Sequence, residues 1–423
     1  MDRKVVVARI MGDRNFAFIS EDRIVFAIDA SAEELEGLLL EERAYLPDSP
    51  ETCSASQSTV SLGIIPTFDC NLHCGYCYAR GGDSREVLNL DVGKTAIRSV
   101  IQEMSSEHIL DISLVGGGEP LLHMEIVDPL IAYAEKESPN GVKVGIVTNG
   151  TFGHSTLQWL VQNSVSVRVS FDGVMQSEQR PFLGGGSSHD LVTQNIKALL
   201  SEGVPLTVQS IVTNKGLDSL NDTVDLLHDL GVDSWKVEPV QGTVISRSGT
   251  RQEPDPLQFA KRLLDCIHYI ANSGYSMKVD TGFFGRPSVS HYCGMSTGNR
   301  IITPEGLVTS CVEVARASDP YSNIVMTGRV ANGKILLDVN RQQLLNSLHF
   351  SNQEGGCSKC EWRFICGGGC PMSNIWRGGY PPIRKSSFTC SVEHWLLPRL
   401  LLDIAEDPRI AEVVMDCYEV QRC

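Results

Sequence analysis

The sequence predicts an α/β protein: a partial, open (β/α)6 TIM-like barrel with a small α+β module before it and a cysteine-rich domain after it. Three observations carry this. Strand-like and helix-like stretches alternate six times between residues 59 and 275. Each strand candidate is short, rich in Val and Ile, and bounded by Gly, Pro or Asn. Beyond 275 the alternation stops and glycines and cysteines take over.

Residues 1–58 read as a separate module. Val5–Ile10, Phe16–Ile19 and Ile24–Ala27 are strand-like, and a helix is expected after Ser31, with Glu34 completing a capping box. The polar stretch from Pro47 to Thr59 reads as a linker. The barrel strands are expected at Val60–Pro66, Leu110–Val115, Val142–Thr148, Val165–Phe171, Leu206–Thr213 and Ser234–Pro239. Helices are expected near 91–105, 124–137, 155–163, 190–202, 218–230 and 256–272. In the first, Val92, Ala96, Ile97, Val100, Ile101 and Met104 recur at helical spacing behind an N-cap at Asp91. Strands that read as continuous apolar runs imply a parallel sheet covered by helices. Six units are too few to close an eight-stranded barrel, and functional groups are expected at the C-terminal strand ends. Residues 276–395 form the cysteine-rich domain, whose backbone bound metal would organise, and 396–423 read as a C-terminal helix.

With 36 basic and 51 acidic residues the net charge is −15, which argues against a nucleic-acid partner. No 18-residue uncharged apolar run and no signal-peptide pattern occur, so no membrane partner and a cytoplasmic location are expected. In that compartment the 14 cysteines point to metal ligands or catalysis and not to disulfides.

Their spacing is informative. Cys70, Cys74 and Cys77 form C-x3-C-x2-C, and Cys357, Cys360, Cys366 and Cys370 form C-x2-C-x5-C-x3-C, with Cys390 beyond. At this cysteine content chance would give the two patterns about 0.015 and about 0.0005 times per chain, so neither is accidental. Cys293 and Cys311 precede the second group, with Gly306 between them. Cys53, Cys266, Cys417 and Cys423 fit no pattern. Three thiolates on one loop can hold three irons of a [4Fe–4S] cluster and leave the fourth open. The alternative is zinc with His73 as fourth ligand. Further polar segments stand at the ends of later strands: Gly116-Gly117-Gly118-Glu119-Pro120, Thr148-Asn149-Gly150 and Ser170-Phe171-Asp172-Gly173. All of them fall on one rim.

The segment from Thr67 to Tyr78, TFDCNLHCGYCY, resembles the signature loop of the radical S-adenosylmethionine (SAM) superfamily. That resemblance implies that the open iron is chelated by the methionine part of SAM. Gly117, Gly118 and Glu119 then match the segment that binds its amino group, and Thr148, Asn149, Ser170 and Asp172 match the strand ends that contact its carboxylate and ribose. Tyr76 would border the adenine. The C-terminal cysteines resemble the SPASM extension of that superfamily. Carried across, its partition implies one auxiliary cluster on Cys357, Cys360, Cys366 and Cys390, and another on Cys293, Cys311 and Cys370 with an open iron. Three [4Fe–4S] clusters and SAM are the implied cofactors.

The function so implied is reductive SAM cleavage to a 5′-deoxyadenosyl radical, followed by oxidative modification of a peptide: a thioether or carbon–carbon cross-link in a ribosomally made precursor. The N-terminal module resembles the first part of the leader-binding domain of such enzymes. A flavodoxin or ferredoxin would supply electrons, and Glu313 is the candidate proton acceptor. Sulfatase maturation is a second reading, although Val312 stands where those enzymes place an acid. Oxidation of a small alcohol or sugar is a third. An electron carrier or zinc scaffold is the non-enzymatic reading, against which the SAM-contact segments argue.

Overall fold

The structure, a computed structural model, describes residues 5–9, 15–19, 24–28, 59–240, 252–284, 291–348, 357, 360, 362–378, 387–414 and 419–422. The expected helix after Ser31, the linker up to residue 58, and Cys53, Cys417 and Cys423 lie outside them.

Three short strands, β1 (Val5–Arg9), β2 (Asn15–Ile19) and β3 (Ile24–Ile28), pair antiparallel in order. The six barrel strands follow as β4 (Thr59–Ile64), β5 (Ile109–Leu114), β6 (Val142–Thr148), β7 (Ser166–Ser170), β8 (Leu206–Val212) and β9 (Ser234–Pro239). All pair parallel in chain order. Helices Leu90–Glu103, Met124–Glu137, His154–Gln162, His189–Ser201 and Leu220–Leu230 connect them, and Pro256–Ser273 follows β9.

The strands are not buried on both faces, as continuous apolar runs had implied. They alternate: Leu110, Ile112 and Leu114, or Val144 and Ile146, are buried, while Asp111, Ser113 and Gly145 between them are half-buried. The apolar face packs on helix residues such as Ala96, Ile97, Val100, Leu130 and Ile131. Full burial of a Leu or Ile side chain contributes about 1.5–3 kcal/mol. The concave face carries Ser113, Gly145, Arg168 and Thr207 around a cavity of about 540 Å3. An open barrel leaves that face to water, which is why polar residues are tolerated there. At the first helix Asn89, and not Asp91, is the cap: its Oδ1 accepts from the Asp91 and Val92 amides.

The sheet extends past the six strands at both ends. β10 (Lys278–Asp280) pairs parallel with β9. On the other side β11 (Ile301–Ile302) pairs parallel with β4, and β12 (Leu307–Thr309), β13 (Met326–Ala331) and β14 (Lys334–Leu337) continue antiparallel. The eleven strands form one sheet with ends at β10 and β14. The contact between β4 and β11 requires a residue without a side chain, since a Cβ on Gly63 would stand 2.8 Å from Ile301 Cγ1.

The stretch 396–423 is not one helix. A helix over Ser387–Glu406 is followed by a second, Pro408–Val413, whose first turn is capped by Asp407 and opened by Pro408. β15 (Glu419–Arg422) then pairs parallel with β3. The helix Ser387–Glu406 lies against Pro256–Ser273 and also against β2, β3 and β15. Among the described residues no helix is long and apolar enough to cross a membrane.

Candidate active site

Because β4 to β9 are parallel, their C-terminal ends share one rim, and the loop carrying Cys70, Cys74 and Cys77 leaves it directly after β4. Backbone bonds fix this loop to the turn after β5. Gly118 N–H donates to Thr67 O at 2.8 Å, and Glu119 N–H to Asp69 O at 2.7 Å. The approach is too close for any side chain: a Cβ on Gly118 would lie 1.9 Å from Asp69 O, and one on Gly117, at φ +72°, 2.7 Å from Thr67 O.

Glu119 is almost fully buried. Its Oε1 accepts from Thr148 Oγ1 (2.7 Å) and Leu121 N–H (3.1 Å), and its Oε2 from Asn149 N–H (2.5 Å). Burial raises its pKa to about 7, against the lowering effect of these donors. The carboxylate therefore ties the end of β6 to the turn after β5. Asn149 reaches the cysteine loop through Nδ2, which donates to Asn71 Oδ1 at 2.8 Å and lies 3.8 Å from Cys70 Sγ. Burial above all, then the Glu119 charge, pushes the Cys70 thiol up to about 12, and Cys74 and Cys77 add to this.

On the far side of the rim Ser170 ends β7, and the buried Asp172 gathers donors. Tyr76 donates its hydroxyl to Asp172 Oδ2; Gln179 Nε2 (3.2 Å) and Arg180 Nε (3.0 Å) meet the same oxygen. The Oδ1 atom accepts from Ile211 N–H at 2.9 Å and Arg180 Nη2 at 3.2 Å. Arg180 also lies over the Tyr76 ring, 5.3 Å from its centroid. The Asp172 carboxylate thus orients Tyr76. Arg180 and Gln179 carried no signal in the sequence, because their partner is created by the fold.

The structure also brings Cys293, Cys311 and Cys370 together. Burial raises the thiols of Cys311 and Cys370, and the Glu313 charge is the next cause for both, followed by the neighbouring cysteines. Tyr78 is raised by burial and by Cys77, Glu313 and Cys311 in that order. Its ring is more than a third exposed, while its hydroxyl end points inward beside Gly116. Tyr78 therefore lies within electrostatic reach of both Cys77 and Cys311. Tyr78 and Glu313 help to line a cleft of about 530 Å3, together with Arg80, Arg316, Asp319 and Trp376. Its far wall is docked by Arg316, which stacks on Phe68 at 3.8 Å and donates to Ala79 O at 2.9 Å.

Of the second group, Cys357 and Cys360 occupy one turn, Cys366 ends a short helix, and Cys390 lies in the first turn of Ser387–Glu406. His394, four residues on, places Nε2 3.7 Å from Cys360 Sγ, so this helix faces the Cys357–Cys366 segment.

A [4Fe–4S] cluster fits the first group. Among the described residues no three His, Cys, Asp or Glu side chains converge as a single ion would require. A cubane instead offers each thiolate its own iron, which suits three thiols spread along one loop.

An open parallel barrel with three thiols at its rim defines the class. Residues 64–234 match the Radical SAM superfamily, and this stretch is a radical SAM domain. The domain implies S-adenosylmethionine and a [4Fe–4S] cluster. The PqqA peptide cyclase of Bradyrhizobium diazoefficiens is 22% identical over 322 residues, covering 72% of this chain and 79% of that protein. A probable GTP 3′,8-cyclase of Methanococcus aeolicus is 28% identical over 178 residues, 41% of this chain. The chain spans about half the length of the first curated relatives it matches, 57% and 56%. Among solved structures, anSMEcpe with bound AdoMet superposes with a TM-score of 0.67 at 19% identity, covering 82% of this chain and 99% of that one. SuiB of Streptococcus suis bound to precursor peptide SuiA gives 0.59 at 15%, covering 92% and 99%. These likenesses bear out the fold.

Proposed function

We propose that the enzyme oxidatively modifies a peptide, forming a thioether or carbon–carbon cross-link in a ribosomally made precursor. The observation that carries this is the cleft lined by Tyr78, the residue after Cys77, and by Glu313, two residues beyond Cys311, which offers a substrate segment a place beside both loops. The name of the PqqA peptide cyclase, whose alignment spans most of the chain, supports a peptide.

Cys70, Cys74 and Cys77 hold the SAM-binding cluster; Cys293, Cys311 and Cys370 hold one auxiliary cluster, and Cys357, Cys360, Cys366 and Cys390 the other. When bound, these groups and SAM supply the 5′-deoxyadenosyl radical that takes a substrate hydrogen atom, and an acceptor for the electron that the substrate then releases. The chain does the rest. Gly117 and Gly118 hold the turn after β5 tight against the cysteine loop, and their backbone would bind the methionine end of SAM. Glu119 holds Thr148 and Asn149 in place for it, with Ser170 closing the rim. Asp172 fixes Tyr76, which would border the adenine of bound SAM. Glu313, at the cleft and beside Cys311 and Cys370, takes the released proton. Val312 lies against Gly116 and packs with Ile65 and Phe68, so the position directly after Cys311 offers no acid. This weighs against the sulfatase-maturase chemistry. A flavodoxin or ferredoxin is the expected reductant.

The test is anaerobic reconstitution of the full chain with iron and sulfide, then dithionite, SAM and a short peptide encoded beside the gene. The expected result is 5′-deoxyadenosine together with peptide lighter by two hydrogens and internally linked. Absence of 5′-deoxyadenosine from iron-loaded protein overturns the radical reading. Its release with an unmodified panel of such peptides overturns the peptide reading.

A further inference from the structure

We propose that His394 is a redox-tuning residue, donating its Nε2–H to the Cys360 thiolate and thereby setting the reduction potential of the cluster held by Cys357, Cys360, Cys366 and Cys390. The inference rests on the auxiliary-cluster reading above. Two elements that are remote in sequence meet here. The Cys357–Cys366 segment comes from one side, and the first turns of Ser387–Glu406 from the other. Cys390 and His394 stand four residues apart on that helix, so both side chains project from one face toward the same segment.

The ring nitrogen lies 3.7 Å from Cys360 Sγ, within reach of an N–H···S hydrogen bond. His394 is itself exposed, whereas Cys360 and Cys390 are half-buried. Its ring therefore reaches the sulfur from the solvent side of the helix. A donor at a cluster thiolate stabilises the more negative, reduced state and raises the potential; hydrogen bonds to sulfur and solvent exposure are the two principal protein levers on such a centre. Cys390 anchors the helix to the cluster, and His394 adjusts the electronics of a different ligand one turn later.

The experiment uses the full-length, anaerobically reconstituted protein, with iron analysis and a potentiometric titration followed by electron paramagnetic resonance. His394→Ala is expected to keep the wild-type iron content, because the residue is exposed, while one auxiliary signal moves to a more negative midpoint. His394→Gln, which retains an N–H donor, is expected to recover part of that shift. An unmoved midpoint at full iron loading overturns the proposal. So does loss of one cluster's iron in His394→Ala, or a nitrogen coupling of directly ligated size in the wild-type pulsed spectrum, either of which makes His394 a ligand. Wild-type iron near about four per chain, one cluster's worth, removes the auxiliary-cluster reading itself and is distinguished from those outcomes before any variant is made.

Discussion

Glu119→Ala separates two effects of one buried carboxylate. In the wild type that group accepts from Thr148, Asn149 and Leu121. Burial raises its pKa from 4.5 to about 7. An acid raised in this way gives its full stabilisation below pH 4.5, loses it progressively as pH rises to about 7, and changes little above that. At roughly 1.4 kcal/mol per unit, the loss over the whole window is about 3 kcal/mol, of which about 2–3 kcal/mol falls between pH 5 and pH 8. Removing the carboxyl abolishes this slope and leaves two buried amide N–H groups without their acceptor, at about 1–3 kcal/mol each. Glu119→Ala is therefore expected to be roughly 2–6 kcal/mol less stable than wild type at pH 5, and the deficit to shrink by about 2–3 kcal/mol at pH 8. Paired guanidinium unfolding curves of the metal-free proteins at the two pH values measure this. A deficit that is equal at both, or larger at pH 8, refutes the reasoning.

Gly118→Ala places a methyl 1.9 Å from the Asp69 carbonyl, so the cysteine loop cannot seat, and reconstitution is expected to leave the variant short of the SAM cluster's iron. Asp172→Ala strands the buried Arg180 guanidinium, at about 3–5 kcal/mol in thermal unfolding, and frees Tyr76, so KM for SAM should rise more than kcat falls. Glu313→Gln is expected to slow peptide modification by about 10²–10⁴ while 5′-deoxyadenosine release continues. Cys311→Ala should lower iron from about twelve to about eight atoms per chain without abolishing SAM cleavage.

The six barrel strands were legible because each is long enough for its composition to show. Val142–Thr148 and Ser234–Pro239 end where the sequence placed them. β10, β11 and β12 have three, two and three residues, too few for any periodicity, and exist because a neighbouring strand offers an unpaired edge. β15 was hidden for a similar reason, since its partner β3 lies near the opposite end of the chain. The expected continuous burial failed because an apolar run does not say how many faces are covered; the half-buried Asp111 and Ser113 of β5 did carry that signal. At the site, cysteine spacing marked the candidate groups, and the fold places Cys293 and Cys370 within electrostatic reach of Cys311. The web around Asp172 was not readable, since Ile211 approaches it from the adjacent strand.

The seam between β4 and β11 has a mechanical consequence. The strand that launches the Cys70 loop is zipped to the one that leads toward Cys311, with Ile301 nested over the bare backbone of Gly63. The two residue pairs of this seam tie the start of one cysteine loop to the start of the other, so under the proposed reading the distance between the thiol trios is constrained at its base. Whatever enters must fit that gauge, and accommodation to different guests falls to the surrounding loops.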